Sequence, residues 1–243
     1  MSTQHPFRFS TGVIGYPIAF VLLIWIVFWV EVRFGYRFNT LGVFPRTISG
    51  LRGIIFSPFI HSSLEHLYHN STPLLVLSTA LFYFYRSIAW KVILLGILFS
   101  GLFTWSIGSS GYHIGASGLI YVLMSFILFK GLFSKNFRLI ALSFIVIFLY
   151  GGMLWYVFPI KENMSWEGHL SGLVVGLIFA LIFRTTIAKP PKYVWEHEHY
   201  DESEDPFLQQ FDADGNFIEH LEKEEHSADN SIEVRYNYKE KDV

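Results

Sequence analysis

Cysteine is absent from the 243 residues, which excludes disulfides, thiolate metal sites and a cysteine nucleophile, and leaves the redox compartment open. Charge is scarce too. Asp, Glu, Lys and Arg make up 16% of the chain against 52% hydrophobic residues, too little charged surface for solubility unless most of the chain sits in lipid. The net charge is −2 and the basic residues are scattered, so no stripe of Lys and Arg offers itself to nucleic acid, and that partner is set aside. No HExxH sequence is present, and the run from His61 to Glu65-His66 is one residue too long for the reversed HxxEH pattern. Zinc hydrolysis is thereby disfavoured. Any chemistry falls to Ser, His, Asp and Glu.

What the chain has in abundance is long apolar stretches. Gly12 to Val30 is about the length that spans a ~30 Å hydrocarbon core. It is followed by Glu31-Val32-Arg33-Phe34 rather than by small residues, so it reads as a retained anchor and not as a removed signal peptide. Further stretches run from Leu64 to Tyr85, Trp90 to Ile107, Ser117 to Phe129, Phe137 to Phe158 and Glu167 to Phe183. The fold class expected is therefore an all-α membrane protein, a six-transmembrane-helix bundle. Its domains are expected as a cytoplasmic segment 1–10, a membrane domain 11–187 and an acidic cytoplasmic tail 188–243, the tail set off by Pro190-Pro191. Within the membrane domain, residues 33–62 are too polar to span yet rich in Phe, Leu and Ile, which suits a folded element at the interface.

Orientation follows from the short loops. Arg86 and Lys91, then Lys130, Lys135 and Arg138, then Arg184, Lys189 and Lys192 mark three cytoplasmic sites, while Gly108–Ala116 and Pro159–Trp166 carry only Lys161 between them. Both termini are then cytoplasmic, in a multi-pass protein expected in the plasma (inner) membrane. Arg33, Arg37, Arg46 and Arg52 break the rule on the outer side, and burial of these arginines in a packed loop is the expected reason.

Polar side chains inside apolar helices are costly and usually functional. His61, His66, His69 and Asn70 surround the start of the second stretch, Ser117 heads the fourth, and His169 lies in the sixth. At ~1.5 Å per residue, Ser117 lies about 20 Å above Lys130, His169 about 22 Å above Arg184 and Asn70 about 24 Å above Arg86, so the three share one depth. The irregular segment Ser109–Ala116 at that depth is tolerated only where protein buries it or water lines it. Gly115-Ala116-Ser117-Gly118 puts a serine where a flexible loop becomes a helix, with free N–H groups beside its hydroxyl. This suits a nucleophile with an oxyanion site, His169 serving as general base and acid. Glu167 lies on another helix face from His169, so a Ser–His dyad is expected, with Tyr121, one turn below Ser117, stacking on the imidazole. Small residues recur every fourth position at Gly168, Gly172 and Gly176, which permits the close helix approach that would bring the two together. Taken singly, Ser117 also suits an ordinary N-cap, and His169, His66 and Asn70 suit interhelical hydrogen bonding.

Jointly and in this order, the segments His61–Asn70, Gly115–Gly118 with Tyr121, and Gly168–Gly172 with Gly176 resemble the rhomboid family of intramembrane serine proteases, across residues about 50 to 185. The resemblance implies a six-helix core, no metal or cofactor, and a serine-type endopeptidase cleaving membrane-anchored protein substrates. It implies Ser117 as nucleophile, His169 as base, and His66, Asn70 and Gly115 at the oxyanion site, with Tyr121, Gly118, Gly172, Gly176 and His61 in support. Two departures stand out: the family's Trp-Arg pair in the first loop has no counterpart here, and Ile114 occupies the position of a second glycine. A non-catalytic relative would lack the serine or the histidine, and a transporter would show paired acidic residues or inverted repeats, neither of which is found. In the tail, Asp212-Ala213-Asp214-Gly215-Asn216 has its glycine too early for a calcium loop and reads as an Asp-Gly turn, and His197-Glu198-His199 as solvated linker. Oligomeric state is not legible.

Overall fold

The computed structural model describes residues 9–161, 164–184, 193–196 and 198–218. Pro190-Pro191, Lys189, Lys192 and His197 lie outside the described residues. Two compact units are formed, Met1–Lys189 and Pro190–Val243.

Among the described residues of the first unit are α1 (Thr11–Phe34), a one-turn α2 (Gly53–Phe56), α3 (Leu64–Phe84), α4 (Ala89–Ile107), α5 (Ser117–Leu132), α6 (Phe137–Tyr150) and α7 (Trp166–Ile182). Local chemistry explains several boundaries. Ser63 caps α3 by accepting the His66 N–H, Asn136 caps α6 by accepting the Arg138 N–H, and Ser165 caps α7 by accepting the Gly168 N–H. At the other end of α7, the Lys130 ammonium donates to the Ala180 and Phe183 carbonyls, supplying the cation that a helix C-terminus favours.

α5 is the axis of the bundle. Every residue from Leu119 to Leu128 is buried, which is the signature of a helix enclosed on all sides. It packs against α3, α4, α6 and α7, while α1 lies outside, against α3. Leu22, Ile26 and Trp29 on α1, Leu94 and Leu98 on α4, and Phe144 and Phe148 on α6 stay exposed, an apolar belt suited to lipid. Three segments, Thr11–Phe34, Ala89–Ile107 and Phe137–Val157, are long and apolar enough to cross a membrane, and α5 and α7 are shorter apolar helices.

Two differences from the sequence-based expectation matter for the site. The fifth apolar stretch is not one helix: α6 stops at Tyr150 and the chain tightens into a 3₁₀ turn over Gly151–Val157, beginning at a Gly-Gly pair. The four arginines of the interfacial segment are exposed rather than buried. Arg46 and Arg52 instead reach back to main-chain carbonyls, Arg46 to Gly108 at 2.8 Å and Ser106 at 3.3 Å, and Arg52 to Thr40 at 3.1 Å. Arg46 adopts a positive φ of 57° to do so and thereby serves the open end of α4. An antiparallel bridge between Val43 and His113 and a bond from the Trp105 indole to the Thr47 carbonyl complete the attachment. The interfacial segment is thus stitched to the α4–α5 loop.

The second unit contains a turn in which Asp212 accepts from the N–H groups of Asp214 and Asn216 while Gly215 takes φ 82°. The Asp212 carboxylate is spent on its own backbone, as in an Asx-type turn.

Candidate active site

Ser117 is the first residue of α5, and its N-cap residue Ala116 has no side chain to bond the opening N–H groups. The donors of that first turn are therefore left for whatever lies beside the hydroxyl. Gly115 before it holds φ 107°, a conformation reserved in practice for glycine. A Cβ there would meet the His66 ring at 2.7 Å and lie 3.5 Å from Asn70 Nδ2. Two side chains of α3 thus press onto the residue two before Ser117. Asn70 is buried and its Nδ2 has no hydrogen-bond partner among the described residues, an unusual expense for an amide. His66 is half-buried, with Nδ1 at 3.2 Å from the Ser62 hydroxyl. The N–H of Gly115 is committed to the Ser57 carbonyl at 2.8 Å. In this structure the Gly115 N–H is thus taken up by Ser57, and the missing Cβ leaves room for the His66 ring.

From the other side comes α7. Its glycines let it lie on α5 backbone to backbone: a Cβ at Gly172 would sit 2.2 Å from the Gly118 carbonyl oxygen, and one at Gly176 2.4 Å from that of Val122. Gly118 in turn faces the Gly168 carbonyl. His169, 6% exposed, stacks on Tyr121 with centroids 4.4 Å apart and planes 11° from parallel. Its Nδ1 lies 2.8 Å from the Tyr156 carbonyl oxygen. A carbonyl only accepts, so the imidazole must donate there, which puts the proton on Nδ1 and leaves the Nε2 lone pair free. No hydrogen bond joins Ser117 to His169 among the described residues, and such bonds often tighten only around substrate.

Tyr156 carries no signal in the sequence, because a main-chain carbonyl has no residue type and the apolar composition of the 3₁₀ turn that presents it reads as helix. Ser57, Ser100, Thr104 and Ser165, with His113, join Ser117 around a cavity of about 40 Å³ on the α4 side of the nucleophile. That is room for about one water among several hydroxyls. His69 is exposed and does not line this cavity. Among the described residues no three His, Asp or Glu side chains converge as a metal site.

His61 sits at the turn before α3, 2% exposed and edge-on to His66 with centroids 5.0 Å apart. Burial, and secondarily the neighbouring His66, pushes its pKa down to about 4 from an ordinary 6.5, so the ring is neutral at physiological pH. A folded-state value below the unfolded one means that the unfolded chain binds the proton first. The His61 contribution to stability is present in full well above pH 6.5 and is lost as pH falls toward 4, on the order of 3 kcal/mol in all. Thermal unfolding in detergent across that range, on wild type and His61→Phe, checks this: the variant is expected to show the shallower decline.

Comparison with known proteins identifies the family of the chain. The model of the rhomboid domain matches residues 49–186. Uncharacterized proteins of Mycobacterium tuberculosis and Mycobacterium bovis are each 37% identical, over 68% of this chain and 72% of theirs. One from Mycobacterium leprae is 34% identical, over 68% of this chain and 69% of its own length. With the domain matched across more than half its length and α3, α5 and α7 bearing the residues described, this chain is an integral membrane protein that belongs to the rhomboid family.

Proposed function

We propose that this chain is an intramembrane serine endopeptidase that cleaves membrane-anchored proteins in or near their transmembrane segments. Ser117 attacks the scissile carbonyl carbon, and His169 Nε2 takes the hydroxyl proton and later returns it to the leaving amine. The observation that carries this reading is the contact of His169 Nδ1 with the Tyr156 carbonyl oxygen at 2.8 Å. With Nδ1–H given to the Tyr156 carbonyl and the ring face held by Tyr121, the imidazole is oriented as a base without a carboxylate. Asn70 Nδ2, buried and unpartnered, is the side-chain donor to the oxyanion, and the Ser117 N–H is the main-chain one. When Ser62 donates to His66 Nδ1, the His66 proton resides on Nε2, the edge toward Gly115. The polar cavity beside Ser117 is a place for the water that resolves the acyl-enzyme.

The reading carries a topology with it: six spans formed by α1, α3, α4, α5, α6 with its 3₁₀ turn, and α7, both termini on the cytoplasmic side of the inner membrane, and an acidic tail after about residue 188. The site then opens toward the outer side, where the interfacial segment lies. The test is cleavage of a transmembrane-helix peptide by the purified chain in proteoliposomes. Asn70→Ala is expected to lower kcat about 10²-fold with a smaller change in KM, the cost of one oxyanion donor among several. An Asn70→Ala protein with wild-type kcat removes that residue from the mechanism, and absence of cleavage by wild type rejects the endopeptidase.

A further inference from the structure

Glu167 is the second residue of α7 and precedes His169 by two, yet its side chain, 3% exposed, turns away from the imidazole toward the α4–α5 loop. Its Oε1 accepts the Ser109 N–H at 2.9 Å. A second link lies beside it. The Ser165 hydroxyl, already accepting the Gly168 N–H, is 2.5 Å from His113 Nδ1, and His113 Nε2 is 3.1 Å from the Ser109 carbonyl oxygen. One proton arrangement satisfies every partner: His113 donates from Nε2 to Ser109, and Ser165 donates to His113 Nδ1. Both links tie the first turn of α7 to residues 109–113. From there the chain runs through Gly111 and Gly115, both at positive φ, into Ser117. Glycines at such positions make this lead-in soft, so its placement depends on what holds it. A carboxylate almost fully removed from solvent is costly and is retained only where its bonds matter.

We propose that Glu167 is a positioning residue: its carboxylate fixes the loop that precedes Ser117 to the helix that carries His169, and so sets the separation of hydroxyl and imidazole. It touches neither reacting atom and acts through the Ser109 backbone. This rests on the Ser117–His169 reading. Small displacements between nucleophile and base cost catalysis steeply, so a link of this kind is read in kcat and not in binding.

Two substitutions in the full chain separate reach from charge. Glu167→Asp keeps the charge but draws the acceptor back by one methylene; kcat is expected to fall about tenfold with KM within about twofold. Glu167→Gln keeps an oxygen at the same reach, and kcat is expected to stay within about threefold of wild type. Melting temperatures in the same proteoliposomes accompany both. A wild-type kcat in Glu167→Asp overturns the proposal, as does a loss in Glu167→Gln as large as in Glu167→Asp, or a kcat loss matched by an equal loss of folded protein. Ser117→Ala run alongside keeps the two readings apart: residual cleavage there rejects the dyad itself, whereas an inactive Ser117→Ala with unaffected Glu167 variants rejects the positioning role alone.

Discussion

Ser117→Ala and His169→Ala are each expected to abolish cleavage of a transmembrane peptide, lowering kcat by a factor on the order of 10⁴ or more, while the double variant is no worse than either single one. The expectation follows from what each side chain does for the other. A serine hydroxyl is a poor nucleophile until a base takes its proton, and a neutral imidazole with its lone pair on Nε2 is useful only against a proton that must leave. Because the step needs both, removing the second after the first costs nothing further. Folding should survive both changes. Ser117 opens its helix without capping it, and replacing it leaves the backbone N–H groups of the first turn in place. His169→Ala frees the Tyr156 carbonyl and one face of Tyr121, but the α5–α7 contact is made by glycines. Kinetics in proteoliposomes with melting temperatures on the same preparations check both halves. Additive losses, or cleavage persisting in either variant, would point to a nucleophile elsewhere.

What the sequence discloses of this candidate site and what it hides have the same physical origin. Side chains that are expensive in an apolar helix announce themselves: Asn70, Ser117 and His169 stand out against Leu, Ile and Phe, and helix rise alone puts them at one depth. Tyr121 was legible from the one-turn spacing, and Gly172 and Gly176 from the period of four. What the sequence did not reveal is what main-chain atoms do. The Tyr156 carbonyl that orients His169 depends on α6 tightening at Gly151-Gly152, and apolar composition continues across that change without a mark. The exposed Arg46, at a positive φ, reaches the carbonyls of Ser106 and Gly108 at the end of α4, contacts that no residue type encodes. Helix periodicity turns Glu167 away from His169, and only the return of the α4–α5 loop gives it a partner.

Gly172→Ala is expected to be the most damaging single methyl group that can be added to this chain near the site. Its Cβ would stand 2.2 Å from the Gly118 carbonyl oxygen and 2.7 Å from the Tyr121 Cβ, so backbone, and not a flexible side-chain end, blocks it. Relief requires α7 to move off α5 by roughly an ångström, since a normal carbon-to-oxygen or carbon-to-carbon contact is well above 3 Å. That displacement separates His169 from Ser117 and unstacks Tyr121, because all three sit at the same crossing. Overpacking of this kind costs about 1–3 kcal/mol and sometimes more, but the catalytic penalty is larger, because a shift of about 1 Å between reacting groups is worth about 10²-fold in rate. Activity should therefore be lost at temperatures where the bundle still holds. Gly15→Ala on α1, with nothing within 4 Å of the added carbon, is the matched control and should leave both cleavage and melting unchanged. The measurement is kcat beside melting temperature for the two variants. A Gly172→Ala protein that cleaves at the wild-type rate would mean that α5 and α7 do not cross this closely, and the geometry assigned to the dyad would have to be given up.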